Sequence, residues 1–214
     1  MSAQPLDADG QSAKRPRRRR LTAAVRRATI LDAAIPVFAA VGYEHTRMSD
    51  VAAQVGVTEP VIFQNFGTKA ELFAAALERV SEQASDYLND MAAKHASVDR
   101  WLRQLLASNH LDHLHTAPMF GVLFADAHRL QFDAQVSAAL QRSVAFVADE
   151  LAGILRRGQR EGSIRADVPP LTLAWLVVSL IQACQFRRTY SPDPSPVLET
   201  DLLGRNLQTF RPRP

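Results

Sequence analysis

At 214 residues, 47% of them apolar, the chain is long enough to bury a sizeable core and falls between one large domain and two small ones. Its single cysteine, Cys184, excludes an internal disulfide framework and suits a reducing compartment, so a cytoplasmic protein is expected. Net charge is only +3, yet residues 14–27 hold eight basic side chains and no acid, while residues 71–214 hold 15 basic against 16 acidic. The positive potential therefore belongs to the N-terminal third, as nucleic-acid binding requires.

In chain order, residues 1–20 read as a disordered basic arm in which Arg17, Arg18, Arg19 and Arg20 form the densest charge block. Ile30, Leu31, Ala34, Val37, Phe38 and Val41 then recur at helical spacing and Gly42 follows, so residues 21–41 read as an amphipathic helix. Pro36 removes a backbone donor inside it and predicts a kink or an early break. Thr46 is placed to cap a short helix that Gly56 ends, and Thr58 to cap another that Gly67 ends. The outward face of that second helix carries Glu59, Pro60, Val61, Phe63, Gln64 and Asn65, where a purely structural helix would carry Lys or Glu. Such a face is built to touch something.

The stretch "ILDAAIPVFAAVGYEHTRMSDVAAQVGVTEPVIFQNFGTKAEL", Ile30 to Leu72, resembles the DNA-binding region of TetR-family transcriptional regulators. The resemblance implies an all-α fold: an N-terminal three-helix helix-turn-helix head over residues 21–68, then a helical ligand-binding and dimerisation body over 69–214. It implies that the helix beginning near Thr58 lies in the major groove of double-stranded DNA. Glu59, Pro60, Val61 and Gln64 would then face base edges, and Thr46, Asn65 and Lys69 would hold phosphates. Phe63 stands where the family carries a Tyr whose hydroxyl bonds a phosphate, so one backbone contact is expected to be missing.

Beyond Lys69 the periodicity predicts helices throughout: one long helix to about Lys94, then 98–114, 118–130, 132–161, 169–190 and 196–210. Helical bundles host ligands among facing side chains, which makes Tyr87, Met91, Trp101, Phe120, Phe124, His128, Phe146, Trp175 and Ser179 candidates for lining an effector pocket. "LTLAWLVVSLIQACQF" is apolar on nearly every side, and its interruptions by Thr172, Ser179 and Gln182 argue against a membrane span; no secretory signal is apparent either. Burying that helix calls for a homodimer, with Leu176, Leu180, Leu203 and Leu207 at the interface. His110, Asp112, His113 and His115 are the one cluster of metal-ligand residue types, but no second cluster completes a site, and no metal or other cofactor is expected.

The function expected is a ligand-responsive regulator, a repressor released from a palindromic operator by a small, largely apolar effector. The competing readings are a constitutive architectural DNA-binding protein and a helical metal-binding enzyme. No catalytic constellation favours the last.

Overall fold

The computed structural model describes residues 22–107, 121–130, 132–191 and 203–212, and everything described is helix, turn or connection, with no strand among the described residues. The basic block 17–20, Phe120 and the 110–115 histidine cluster lie outside the described residues.

The head is three helices: α1 (Ala23–His45), α2 (Met48–Val55) and α3 (Glu59–Phe66). Pro36 does not break α1. It is exposed, so the carbonyl it strands at Asp32 stays open to water and the missing bond costs little. The backbone instead leaves helical angles at Gly42 (φ 77°, ψ 169°), after which one further turn, Tyr43 to His45, completes the element.

That extra turn displaces Thr46 from its expected role. Its N–H bonds back to Gly42 and Tyr43 carbonyls at the end of α1, its hydroxyl donates to Gly42 O at 2.7 Å, and the N-cap of α2 falls on Arg47. Gly56 closes α2 in the left-handed region, as the sequence predicts. Thr58 occupies the N-cap of α3, although its hydroxyl makes no capping bond.

The long helix α4 (Lys69–Ala93) opens with a reciprocal capping box: Thr68 Oγ1 accepts from Glu71 N at 3.0 Å, and Glu71 accepts from Thr68 N at 3.1 Å. After α5 (Val98–Leu105) and α6 (Gly121–Arg129) comes α7 (Ala134–Arg160), which runs parallel to α4 from the head to the far end. Matched pairs mark the register: Gln135 to Glu71, Arg142 to Glu78, Asn89 to Glu150, and Arg157 to the carbonyl of Ala92. Helix α8 (Pro170–Tyr190) packs on α7, and the chain's final described turn, Gln208–Phe210, docks where Arg165 N–H donates to Phe210 O.

Two apolar clusters fill the interior. The upper one joins head to body without a seam: Ile30, Phe38, Val51, Ile62 and Phe66 meet Phe73 and Val80 of α4, Leu123 of α6, and Val136 and Ala139 of α7. The lower one gathers Leu88, Met91, Trp101, Leu105, Leu151, Leu155, Val177, Leu203, Leu207 and Phe210.

Gly42 and Gly56 both hold positive φ, but only one is crowded. A Cβ on Gly42 would sit 2.9 Å from Asp126 Oδ2 of α6, whereas one on Gly56 would meet nothing within 4 Å. Gly42 also lies in a backbone region nearly closed to other residues. Gly42→Ala should therefore lower the unfolding free energy by roughly 2–4 kcal/mol, and Gly56→Ala by about 1 kcal/mol, with urea denaturation of both variants as the check.

Candidate nucleic-acid interface

The turn at Gly56 and the cap position at Thr58 set α3 across α2, with Ile62 and Phe66 turned into the core at 0% and 3% exposure. The opposite face is left to solvent: Thr58, Glu59, Pro60, Phe63 and Gln64 are exposed, and Val61 and Asn65 half-buried. Seven of the residues singled out by sequence thus lie on one short helix and its cap.

One cation fastens this helix from behind, and a second ties the start of α4 to the last turn of α1. The Arg27 guanidinium, from α1, sits 4.0 Å from the centre of the Phe66 ring and donates to the backbone carbonyl of Asn65, at the C-terminal end of α3 where a positive charge is favoured. Lys69 Nζ lies 4.6 Å from the centre of the Tyr43 ring and donates to Glu44 O at 3.2 Å. Partial burial lowers the Lys69 pKa from its ordinary value, opposed by Glu44, and burial with the nearby charges of Asp133 and Glu44 raises that of Tyr43.

Two side chains expected at phosphates already spend a donor on the fold. Thr46 is 2% exposed with its hydroxyl committed to Gly42 O, so it shapes the turn and offers no free donor. Asn65 spends its amide on Val61 O at 2.7 Å, which satisfies the helix and removes that N–H from the outer surface. Sequence reasoning also passed over three residues. Arg47, exposed at the start of α2, was hidden by the assumption that Thr46 capped that helix. Thr68 was legible as the Thr-x-x-Glu capping signature. Arg27 was visible only as one more charge in a basic run. Phe63, 41% exposed, is not core. It lines an open groove of about 700 Å³ between α3, α4 and α7, together with Gln64, Arg27, Glu71 and Arg142.

The pocket candidates do not converge. Met91 and Trp101 are interior to the lower cluster, Phe124 packs beside the upper one, and Tyr87, His128, Phe146, Trp175 and Ser179 are exposed. Of the expected interface leucines, Leu203 and Leu207 lie in the lower cluster, and Leu176 and Leu180, half-buried, pack against it. The face of α8 left open carries Leu171, Trp175, Ser179, Gln182, Phe186 and Tyr190, spaced three or four apart along the whole helix. Among the described residues no group of three metal-ligating side chains occurs, and no helix is long and apolar enough to cross a membrane.

Residues 30–76, the helix-turn-helix with the first turns of α4, match the family profile described as bacterial regulatory proteins, tetR family. A TtgR transcriptional regulator of Pseudomonas putida is 28% identical over 197 residues, covering 83% of this chain and 84% of that one. The matched residues are the DNA-binding region of the TetR family of transcriptional regulators. Within the family, the transcriptional activator FasR of Mycolicibacterium smegmatis is 39% identical over 77 residues, 34% of this chain and 35% of its own. The TetR-family regulator of Cytophaga hutchinsonii has the same fold, with a TM-score of 0.69 at 14% identity over 89% of this chain and 97% of that one. That family is one of transcriptional regulators, not of enzymes.

The Arg27 staple yields a direct expectation. Arg27→Ala should cost about 1 kcal/mol of stability, the side chain being exposed, and Arg27→Lys should recover little of it, because a lysine cannot stack on Phe66 and reach the Asn65 carbonyl with a planar fork. Thermal unfolding of the two variants side by side is the check.

Proposed function

We propose that this chain is a TetR-family regulator, a cytoplasmic homodimer that represses by occupying a palindromic operator and is released from it by a small, largely apolar effector. The observation that carries the reading is the exposed Glu59, Pro60, Gln64 face on a helix stapled from behind by Arg27, joined through a continuous α4 to a body with a second core. Gln64 is shaped for a bidentate contact with adenine, Glu59 accepts from cytosine N4, and Pro60 and Val61 suit a thymine methyl. Thr58, Arg47 and Lys69 flank this face and would meet phosphates, with the basic arm of residues 1–20 adding charge that reads no sequence.

The dimer reading draws on the stripe of Leu171, Trp175, Phe186 and Tyr190 on α8, four large apolar side chains between 43% and 70% exposed. In such a dimer the two copies of α3 must meet half-sites roughly 34–36 Å apart, one helical turn. An effector that prefers a state with α4 tilted changes that spacing and releases the DNA, and operator must weaken effector binding by the same factor.

Selection from a random duplex pool tests this. The expected product is a two-fold site with half-sites one turn apart, and an unselective pool would favour the architectural reading. Gln64→Ala should relax preference at one position in each half-site at a cost of roughly 1–3 kcal/mol, while uniform weakening on all duplexes would make Gln64 a backbone contact. Deleting residues 1–20 should flatten the salt dependence of binding and leave the selected sequence unchanged; an unaltered slope would remove the arm from the interface.

A further inference from the structure

Between the two apolar clusters the character of the interior changes. Along α4 the upper cluster ends at Val80 and the lower begins at Leu88; along α7 the upper reaches Leu140 and the lower resumes at Val147. The interval is lined by Ser81, Ala84 and Ser85 from α4 and by Ser143 from α7, all buried, and Ala84 belongs to neither cluster. Small side chains on two parallel helices are compatible with close packing alone, so the hydroxyls decide the matter.

A serine inside a helix ordinarily returns its proton to the carbonyl four residues back, as Ser81 does to Leu77 O at 2.8 Å. The hydroxyls of Ser85 and Ser143, residues 3% and 2% exposed, have no hydrogen-bond partner among the described residues. The indole N–H of Trp101, fully buried in the lower cluster that also holds Leu88, one turn beyond Ser85, is unpartnered as well. Two buried hydroxyl donors without acceptors along this interval are costly in a ligand-free protein, and such groups call for an explanation. The charge pattern narrows what answers them. The buried polar side chains among the described residues are Thr46, Ser81, Ser85 and Ser143, none of them ionisable, so an ion taken into the seam would find no countercharge there.

We propose that this seam is the effector site, and that it takes a neutral molecule with apolar ends and a carbonyl-type acceptor between them. The ends rest on the two clusters, and the acceptor oxygen receives the hydroxyl protons of Ser85 and Ser143. The proposal rests on the ligand-responsive reading and deepens it: an occupant seated between α4 and α7 bears on the helix whose first residue is Lys69.

The test uses full-length protein and two dyes, 6-propionyl-2-dimethylaminonaphthalene, which is neutral with one carbonyl, and its 6-propyl counterpart, which lacks it. The wild type should bind the ketone at one site per protomer and the propyl dye at least about tenfold more weakly, the size of one well-formed buried hydrogen bond. Ser85→Ala with Ser143→Ala should erase that difference. Ser143→Leu, which fills the seam, should abolish binding of both dyes while leaving the melting temperature within a few degrees. No binding by the wild type, equal binding of the two dyes, a ketone affinity indifferent to the serines, or a collapse of the melting temperature in Ser143→Leu would each overturn the proposal, the last by showing close-packed helices. Duplex selection by the same preparations separates the two ideas: a chain that selects its two-fold site but fails the dye test loses only this site. One that binds the ketone but selects no duplex keeps the site and loses the regulator reading.

Discussion

Asp126 reaches from α6 to accept the Tyr43 N–H at 2.6 Å, and the turn it grips holds the head against the body. That contact depends on Gly42, since any Cβ there would press on the same carboxylate and φ 77° would strain it besides. Once the turn is fixed, the Tyr43 ring lies edge-on to Phe73 of α4 at 5.0 Å, Phe38 meets Phe73 at the same separation, and Lys69 covers the exposed side of Tyr43. One hydrogen bond thus draws α1, α4 and α6 to a single point. The angle of the recognition helix to everything below it follows from that point and from the Arg27 staple.

The shared upper cluster makes this more than a local arrangement. A head with its own closed core would swivel on a linker, whereas here the apolar side chains of α1 to α3 continue into Phe73, Val80, Leu123 and Val136 without a break. A displacement of α4 or α6 must then carry the head along or break packing, which is the condition for a body-bound molecule to reach the DNA-binding face. In the reading proposed for this regulator, the discontinuity lies lower down, at the polar seam, where α4 and α7 are held by small side chains rather than by interlocking ones.

The sequence disclosed some of this and concealed the rest for physical reasons. The pair of short helices was legible because Gly56 and Gly67 stop them and Pro60 suits a first turn; α4 was legible because its apolar positions repeat for seven turns. Thr46 was misread because Gly42 looks like the end of a helix, and nothing local reveals that a carboxylate 83 residues away in sequence sustains one turn more. The outward face of α8 was illegible for a different reason. A helix apolar on every side gives no azimuth, so periodicity could not tell Leu176 and Leu180, half-buried against the core, from Leu171 and Trp175, left exposed. The isolation of the buried Ser85 and Ser143 hydroxyls, by contrast, shows only in the fold. Phe63 in place of the family's Tyr was read as a lost phosphate contact, and its position at a groove between head and body could not be anticipated from one helix.

Amide exchange at Tyr43, followed by NMR in the intact protein and in Asp126→Ala, tests the union of head and body most directly. The account predicts wild-type protection at the level of amides inside α4, and exchange in Asp126→Ala approaching that of an exposed turn while the amide of Phe73 stays protected. Rapid exchange at Tyr43 in the wild type, or protection unchanged by the loss of Asp126, would contradict it.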